Sequence, residues 1–178
     1  MLSSFEVSTD LIRDAILLDW EKMLFWVIIP FALVFIIAGF IGLERQNIGK
    51  AAGISAHILV GLGACGIAIF QRVLLQNSID QNLGSTDGQR IMAQVVSGIG
   101  FLGAGVIIKD KNNIVKGLTT AATLWATAMC SLLLGSGNLI TGSILGLIMI
   151  LFIAARDISR KINPLKKIPD HKEDHTND

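Results

Sequence analysis

Five long apolar stretches, separated by short polar segments, dominate the chain. They run at about residues 23–43, 53–75, 90–108, 117–134 and 139–155. A helix needs about 20 mostly apolar residues to cross the hydrocarbon core of a bilayer, and each stretch is close to that length. The pattern therefore predicts an all-α membrane protein with five transmembrane helices in a compact bundle.

Polar segments flank these five predicted spans, which together form a transmembrane domain over 23–155. In residues 1–22, apolar positions recur at helical spacing after Asp10, which can cap a helix. This segment is predicted to be a short amphipathic helix on the extracytoplasmic side. Residues 156–178 carry mixed charge and two prolines, and are predicted to form a polar cytoplasmic tail.

Composition agrees with a membrane assignment. Apolar residues make up 52% of the chain and charged residues only 16%, whereas a soluble domain carries about 25% charged residues. The net charge of +1 gives no global field for nucleic acid, so the lipid bilayer is the expected partner. Cys65 and Cys130 both fall inside apolar stretches, where buried free thiols are expected.

The third stretch is unusual because small residues crowd its middle. Each glycine costs close to 1 kcal/mol of helix propensity relative to alanine, which makes sense in a membrane helix when other backbones approach closely. We therefore expect this helix at the centre of the bundle, with neighbours on more than one side. The helix-packing residues predicted here and in the fifth stretch are Ser97, Gly98, Gly100, Gly103, Gly105, Gly142 and Gly146.

Lysines and arginines indicate the orientation. With five spans, eleven of them fall on one side of the membrane and three on the other, Arg72 being left out as part of the second span. Because cytoplasmic loops carry the excess of positive residues, the split predicts an outside N-terminus and a cytoplasmic C-terminus.

Charged and polar residues near the cytoplasmic ends of the first two spans are candidates for function. Glu44 and Arg45 either mark the membrane edge or meet another helix or an ion within the bundle. His57 lies on a small-residue face of the second span, where it can hydrogen-bond to another helix or titrate near neutral pH. No second histidine or cysteine stands at ligand spacing from His57, so no metal site is predicted.

A second group of candidates lies towards the outside. Asp87 can cap the third helix, and Arg90 and Gln94 share one face of it, one turn apart. With Thr120, Thr123 and Thr127 of the fourth span, Arg90 and Gln94 could outline a polar groove. Alternatively, the threonine hydroxyls bond to carbonyls of their own helix.

The sequence carries no enzyme signature, so no catalytic residue and no cofactor are predicted. The glycines of the third span sit inside a membrane helix, not in a phosphate-binding loop between strand and helix. Protein sites for magnesium usually need carboxylates, and the predicted transmembrane domain offers only Glu44 and the acids of its loops.

Four segments of the sequence are characteristic in combination. They are Ala38-Gly-Phe-Ile-Gly-Leu-Glu-Arg45, Ala52-Gly53 with His57, the string QVVSGIGFLGAG starting at Gln94, and Gly117-Leu-Thr-Thr-Ala-Ala-Thr-Leu-Trp125. Together they resemble the MgtC/SapB family of bacterial inner-membrane proteins, and the resemblance covers roughly Gly39 to Gly137. It implies a non-enzymatic factor linked in some relatives to growth in low magnesium, virulence and survival inside macrophages. It also implies membrane protein partners, among them the F-type ATP synthase.

Two departures from the family pattern limit what the resemblance implies. Members commonly have Arg-Thr-His or Arg-Thr-Asn after the Ala-Gly pair, whereas this chain has Ser55-Ala56-His57. Longer members also carry a cytoplasmic ACT-like domain where this chain has its 156–178 tail.

A small homo-oligomeric ion or proton transporter that uses the polar groove is the alternative function.

Overall fold

The computed structural model describes residues 20–80, 88–111 and 113–159, which form an all-α bundle of five long helices. These are α1 (Trp20–Asn47), α2 (Ile54–Asp80), α3 (Gly88–Val106), α4 (Leu118–Gly135) and α5 (Leu139–Ser159). Four of them are long and apolar enough to cross a membrane, and α3 contributes a shorter apolar stretch, Arg90–Val106. The predicted class of fold is confirmed. The predicted N-terminal amphipathic helix falls at 1–22, almost all of it outside the described residues.

Helix α1 changes its hydrogen-bonding pattern just before a proline. It consists of Trp20–Met23, a π-helical segment Leu24–Ile28 and Ile29–Asn47. Pro30 has no N–H, so the carbonyl of Trp26, four residues earlier, loses its usual helical donor. Arg72 of α2 replaces that donor, because its Nη2 lies 2.6 Å from Trp26 O.

Helix α4, and not α3, lies at the centre of the bundle. It packs against all four other helices, whereas α3 packs on α2 and α4 at the edge. The expectation of a central third span is therefore wrong. Small residues permit close approach from any direction, and in this chain most of those on α3 face outwards.

Two apolar clusters form the core on either side of α2 and α4. The first joins α1, α2, α4 and α5 through residues such as Ile41, Cys65, Leu134 and Ile153. The second joins α2, α3 and α4, with Ile99 as the residue that α3 contributes. Both cysteines are free and buried, as expected.

A short antiparallel hairpin connects α3 to α4. Strand β1 (Ile108–Lys109) pairs with β2 (Val115–Lys116), with Ile108 opposite Lys116. The third span thus ends at Val106, two residues earlier than predicted, because the chain turns into this hairpin. Gly117 then starts α4 with a φ of 92°, a left-handed conformation that glycine adopts without steric cost.

The last helix is longer than its apolar stretch. The predicted span ends at Ala155, but α5 continues to Ser159. Arg156 and Asp157 therefore belong to a helix inside the bundle and not to a solvated tail. Arg156 is held there by Glu44 of α1, and Asp157 pairs with Arg156. The apolar pattern of α5 alone does not reveal these contacts.

Candidate functional site

Polar side chains from four helices meet at one end of the bundle. Glu44 and Arg45 lie in the last turn of α1, His57 in the first turn of α2, and Thr120 near the start of α4. Asp157 comes from the end of α5, and all five are buried. We call this group, with Arg156 and Thr123, the polar cluster.

A chain of ion pairs joins α1 to α5 within the polar cluster. Arg45 contacts both carboxylate oxygens of Glu44, through Nε to Oε2 and through Nη2 to Oε1 at 2.6 Å. Arg156 Nη2 donates to the same Glu44 Oε1 at 2.6 Å. Arg156 also donates to Asp157 Oδ1, at 2.9 Å from Nε and 2.7 Å from Nη2.

The two acids and two arginines compensate each other. Isolated charges are costly to bury, and they are tolerated in an interior when they are paired and hydrogen-bonded. Two buried atoms of the cluster, Arg45 Nη1 and Asp157 Oδ2, have no hydrogen-bond partner among the described residues. Both oxygens of the Glu44 carboxylate, in contrast, accept hydrogen bonds from arginines.

His57 bridges α2 and α4 next to these charges. Its Nδ1 lies 2.9 Å from the Gly53 carbonyl, and its Nε2 lies 3.2 Å from Thr123 Oγ1. A carbonyl only accepts, so Nδ1 carries a proton. When His57 is neutral, the Thr123 hydroxyl donates to Nε2. When His57 is charged, the hydroxyl turns to the Thr120 carbonyl, 2.9 Å away.

Two further hydroxyl groups of α4 bond to their own helix. Thr127 Oγ1 donates to Thr123 O and Ser131 Oγ to Thr127 O, each at 2.8 Å. The structure thus has the back-bonding geometry that was the alternative to a polar groove.

The outer candidates on α3 lie elsewhere. Arg90 and Gln94 are exposed on the outward side of α3, whereas Thr120 and Thr127 are buried. The structure therefore does not bring the five groove candidates together. Asp87 lies outside the described residues, so its capping role stays a prediction. Among the residues that are described, no group of three or more His, Cys, Asp or Glu side chains could hold a metal ion.

Of the four glycines between Gly98 and Gly105 on α3, one packs against α4 and three do not. A Cβ on Gly103 would lie 3.6 Å from the Ala121 side chain, so this glycine packs on α4. At Gly98, Gly100 and Gly105, a Cβ would meet no atom within 4 Å, and Ser97 is also exposed. The close packing expected at these positions is not found against any residue in 20–80, 88–111 or 113–159.

The two glycines of α5 do contact their neighbours closely. A Cβ on Gly142 would come within 2.7 Å of the Leu134 side chain, and a Cβ on Gly146 within 2.4 Å of the Ile37 side chain. The absence of side chains at these positions lets α5 approach both α4 and α1.

Sequence reasoning missed Arg156 and Asp157 because they follow the fifth apolar stretch directly. A usable signal was nevertheless present. An acid–base pair follows the apolar stretch of α1 at Glu44-Arg45 and that of α5 at Arg156-Asp157, on the same predicted side of the membrane. Complementary pairs at adjacent helix ends favour a contact between them.

Comparison with known proteins identifies relatives in several bacteria. The YhiD protein of Escherichia coli K12, which carries the name "Putative magnesium transporter YhiD", is 42% identical over 126 residues, covering 71% of this chain and 58% of the relative. Protein MgtC of Brucella abortus (strain 2308) is 43% identical over 103 residues, covering 58% of this chain and 40% of the relative. An uncharacterized Synechocystis protein, slr0014, is 38% identical over 148 residues, covering 82% and 57%.

The chain spans about half the length of the curated relatives that it matches. No solved structure matches it significantly. The family model described as "MgtC family" matches residues 31–161, a range that includes the polar cluster and the whole of α3. This multi-pass membrane protein therefore belongs to the MgtC family.

Proposed function

We propose that this protein is a non-enzymatic regulatory or stress-adaptation factor that acts by helix–helix contact with membrane protein partners. One observation carries the proposal: most of the string QVVSGIGFLGAG, which carries part of the family resemblance, lies on an exposed helix face. We call this face the α3 surface. It comprises Ala93, Gln94, Ser97, Gly98, Gly100, Phe101, Ala104 and Gly105, all exposed.

Physical chemistry supports a helical partner for the α3 surface. Glycines reduce helix propensity by close to 1 kcal/mol each, and three of them here pack against nothing in the described part of the chain. In lipid, helices associate through close backbone approach at small residues. Phe101, 80% exposed among these glycines, supplies a large side chain for such a contact.

Family membership supports a proposal for the partner and its setting. Resemblance to the family suggests a membrane complex such as the F-type ATP synthase, and a second copy of this chain is the other occupant to test. The names of the relatives link the family to magnesium, so we propose a role in low-magnesium adaptation. We also propose that the polar cluster lies at the cytoplasmic end, in the bacterial inner membrane, with the N-terminus outside.

Transport is the second candidate function, favoured by the name of the E. coli relative. Its structural requirement would be a mobile charge or an open polar path. Glu44 of the polar cluster is instead paired with Arg45 and Arg156. For this reason, regulation through partners is the conclusion that we prefer.

Photocrosslinking in native membranes tests the proposed contact. A photoreactive phenylalanine analogue at position 101 is expected to give a specific adduct with a membrane protein. The same analogue at Phe70, an exposed residue of α2, is the matched control and is expected to give none. Gly100→Leu should abolish the adduct at 101, whereas Gly63→Leu, at an open glycine of α2, should not.

Reconstitution in liposomes separates the two functions. Magnesium or proton flux that Glu44→Ala abolishes would overturn regulation in favour of transport. Absence of flux, together with an adduct that requires Phe101 and Gly100, supports regulation. Equal labelling at positions 101 and 70 would remove the α3 surface as the site of contact.

A further inference from the structure

A second site lies beside the polar cluster and does not depend on the proposed function. A cavity of about 750 Å³ opens between the α1–α2 loop and the β-hairpin. Its size falls within the range of small-molecule sites, roughly 300–1,000 Å³. The charged residues that line it are Lys50, Lys109, Asp110, Lys111 and Lys116.

The lining of this cavity is strongly basic for a chain whose net charge is only +1. Lys116 Nζ pairs with Asp110 Oδ2 at 2.7 Å, which neutralises one lysine. Within the described part of the chain, no ion pair is found for the other three lysines, Lys50, Lys109 and Lys111. Among the residues that the structure describes, three positive charges therefore surround the cavity without a compensating acid.

Helix α4 begins at the same cavity and adds hydrogen-bond donors. The first N–H groups of a helix lack intrahelical acceptors, and the positive end of the helix dipole favours anions there. No side chain caps α4, because the preceding residue is Gly117. Leu118, Thr119 and Thr120, the first three residues of the helix, all line the cavity.

Gly117 fixes this arrangement. A Cβ at this position would lie 2.1 Å from the Val106 carbonyl oxygen, so only glycine lets the end of α3 pass so close to the start of α4. The turn between α3 and α4 therefore places the N-terminus of α4 and the lysines of the hairpin around the same cavity.

We propose that this cavity binds the phosphate group of an anionic ligand. Helix N-termini and lysines are common partners of phosphate, the first through N–H donors and the second as point charges. The space exceeds what a phosphate ion fills, and Val106, Ile108 and Leu118 supply apolar walls. The ligand is thus either the headgroup of an anionic phospholipid or a soluble phosphorylated compound.

Binding measurements on the full chain in nanodiscs test this proposal. The probes are phosphatidylglycerol diluted into phosphatidylcholine, followed by native mass spectrometry of retained lipid, and inorganic phosphate, followed by ³¹P NMR. The test variant Lys50→Gln/Lys109→Gln leaves the Lys116–Asp110 pair intact. We expect this double variant to bind about thirtyfold more weakly, because each of the two lysines near a charged surface contributes roughly 1 kcal/mol.

Two control variants separate charge at the site from charge in general. Lys50→Arg/Lys109→Arg keeps the positive charges and should retain most of the binding. Lys22→Gln/Arg90→Gln removes two exposed charges from the opposite end of the bundle and should bind like the wild type.

The outcomes distinguish the two sources of phosphate. Retention of phosphatidylglycerol that inorganic phosphate does not displace supports a lipid ligand. Binding of inorganic phosphate that competes with the lipid supports a soluble one. Equal retention of both lipids without phosphate binding, or unchanged binding by Lys50→Gln/Lys109→Gln, would overturn the proposal.

A measurement on the wild type remains decisive if the variant fails to fold. Raising the salt from about 0.1 M to 1 M shortens the Debye length from about 10 Å to 3 Å. Binding of either probe at this partly open site should then fall severalfold. Binding that ignores salt would exclude the three lysines as the source of affinity.

Discussion

Arg156 and Glu44 stand 112 positions apart in the chain, yet Arg156 Nη2 lies 2.6 Å from Glu44 Oε1. Glu44 is almost fully buried and Arg156 is 15% exposed. The pair closes the last helix onto the first at one end of the bundle. It also places the Glu44 carboxylate between two guanidinium groups, because Arg45 bonds it from the other side.

Removing the Glu44 charge should destabilise the protein strongly. Glu44→Gln leaves Arg45 and Arg156 with one buried carboxylate fewer, and breaking one partner of a buried pair typically costs about 3–5 kcal/mol. We expect a loss of this size in the free energy of unfolding, measured by denaturant titration in detergent micelles. Glu21→Gln, at an exposed position of α1, is the control and should change stability little. Equal stability of both variants would contradict the role of the ion pairs.

Thr123 and Thr127 should respond differently to loss of their hydroxyls. Thr123→Val leaves the buried His57 Nε2 without a partner, so we expect a loss of about 1–3 kcal/mol. Thr127→Val removes a bond within one helix only, and a typical hydrogen bond between membrane side chains is worth about 0.6 kcal/mol. Unfolding measurements on the two variants give the comparison. A larger loss for Thr127→Val would show that His57 does not depend on Thr123.

Two glycines should show opposite effects of added methyl groups. A Cβ on Gly42 would lie 2.6 Å from the Ile54 Cα, so Gly42→Ala must push α1 from α2 and should cost about 1–3 kcal/mol. Gly100 faces open space, so Gly100→Ala should leave the free energy of unfolding unchanged or raise it by up to about 1 kcal/mol. Thermal unfolding of the purified monomer checks both. Destabilisation by Gly100→Ala would mean that α3 packs against the chain on that side.

The hairpin should show a pH dependence set by Asp110. The hydrogen bond from Lys116, with the Lys111 backbone N–H, holds the pKa of the Asp110 carboxyl below its ordinary value of 3.8. A lowered pKa means that the pair stabilises the hairpin above pH 3.8 and that this contribution disappears as the pH falls through the lowered pKa.

NMR titration of the Asp110 carboxyl carbon measures this effect directly. Lys116→Gln removes the largest cause and should move the midpoint up, towards 3.8. Lys50→Gln, which also removes a lysine from the cavity lining but no partner of Asp110, should move it much less. Identical midpoints in the wild type and Lys116→Gln would contradict the assignment.

The sequence predicts the helices well because apolar length is a direct requirement of the bilayer. The limits of α1, α2 and α4 agree with the predicted spans to within a few residues at most ends. The sequence does not show which face of each helix points into the bundle. Lipid-facing and buried positions are both apolar, so periodicity in a membrane helix does not distinguish them. Gly100 and Gly142 look alike in the sequence, yet one is open and the other packs against Leu134.

The polar cluster was predicted in part. Glu44, Arg45 and His57 stand out because charged and ionisable groups are rare in or near apolar stretches. Arg156 and Asp157 do not stand out in the same way, because they occupy a helix end, where charged residues are common. Only the packing of α5 on α1, through Gly146, brings the two ends together.

The hydrogen bond from Arg72 to the Trp26 carbonyl has a consequence for membrane insertion. Pro30 leaves the Trp26 carbonyl without its usual α-helical donor. Arg72 donates to that carbonyl, lies over the Trp26 ring at 4.8 Å and donates to Gly135 O at 3.0 Å. An unpaired acceptor on α1 and a cation on α2 are each costly in lipid. Each compensates the other only when both helices are present. Release of α1 and α2 from the insertion machinery as a pair would therefore avoid exposing either group to the hydrocarbon core.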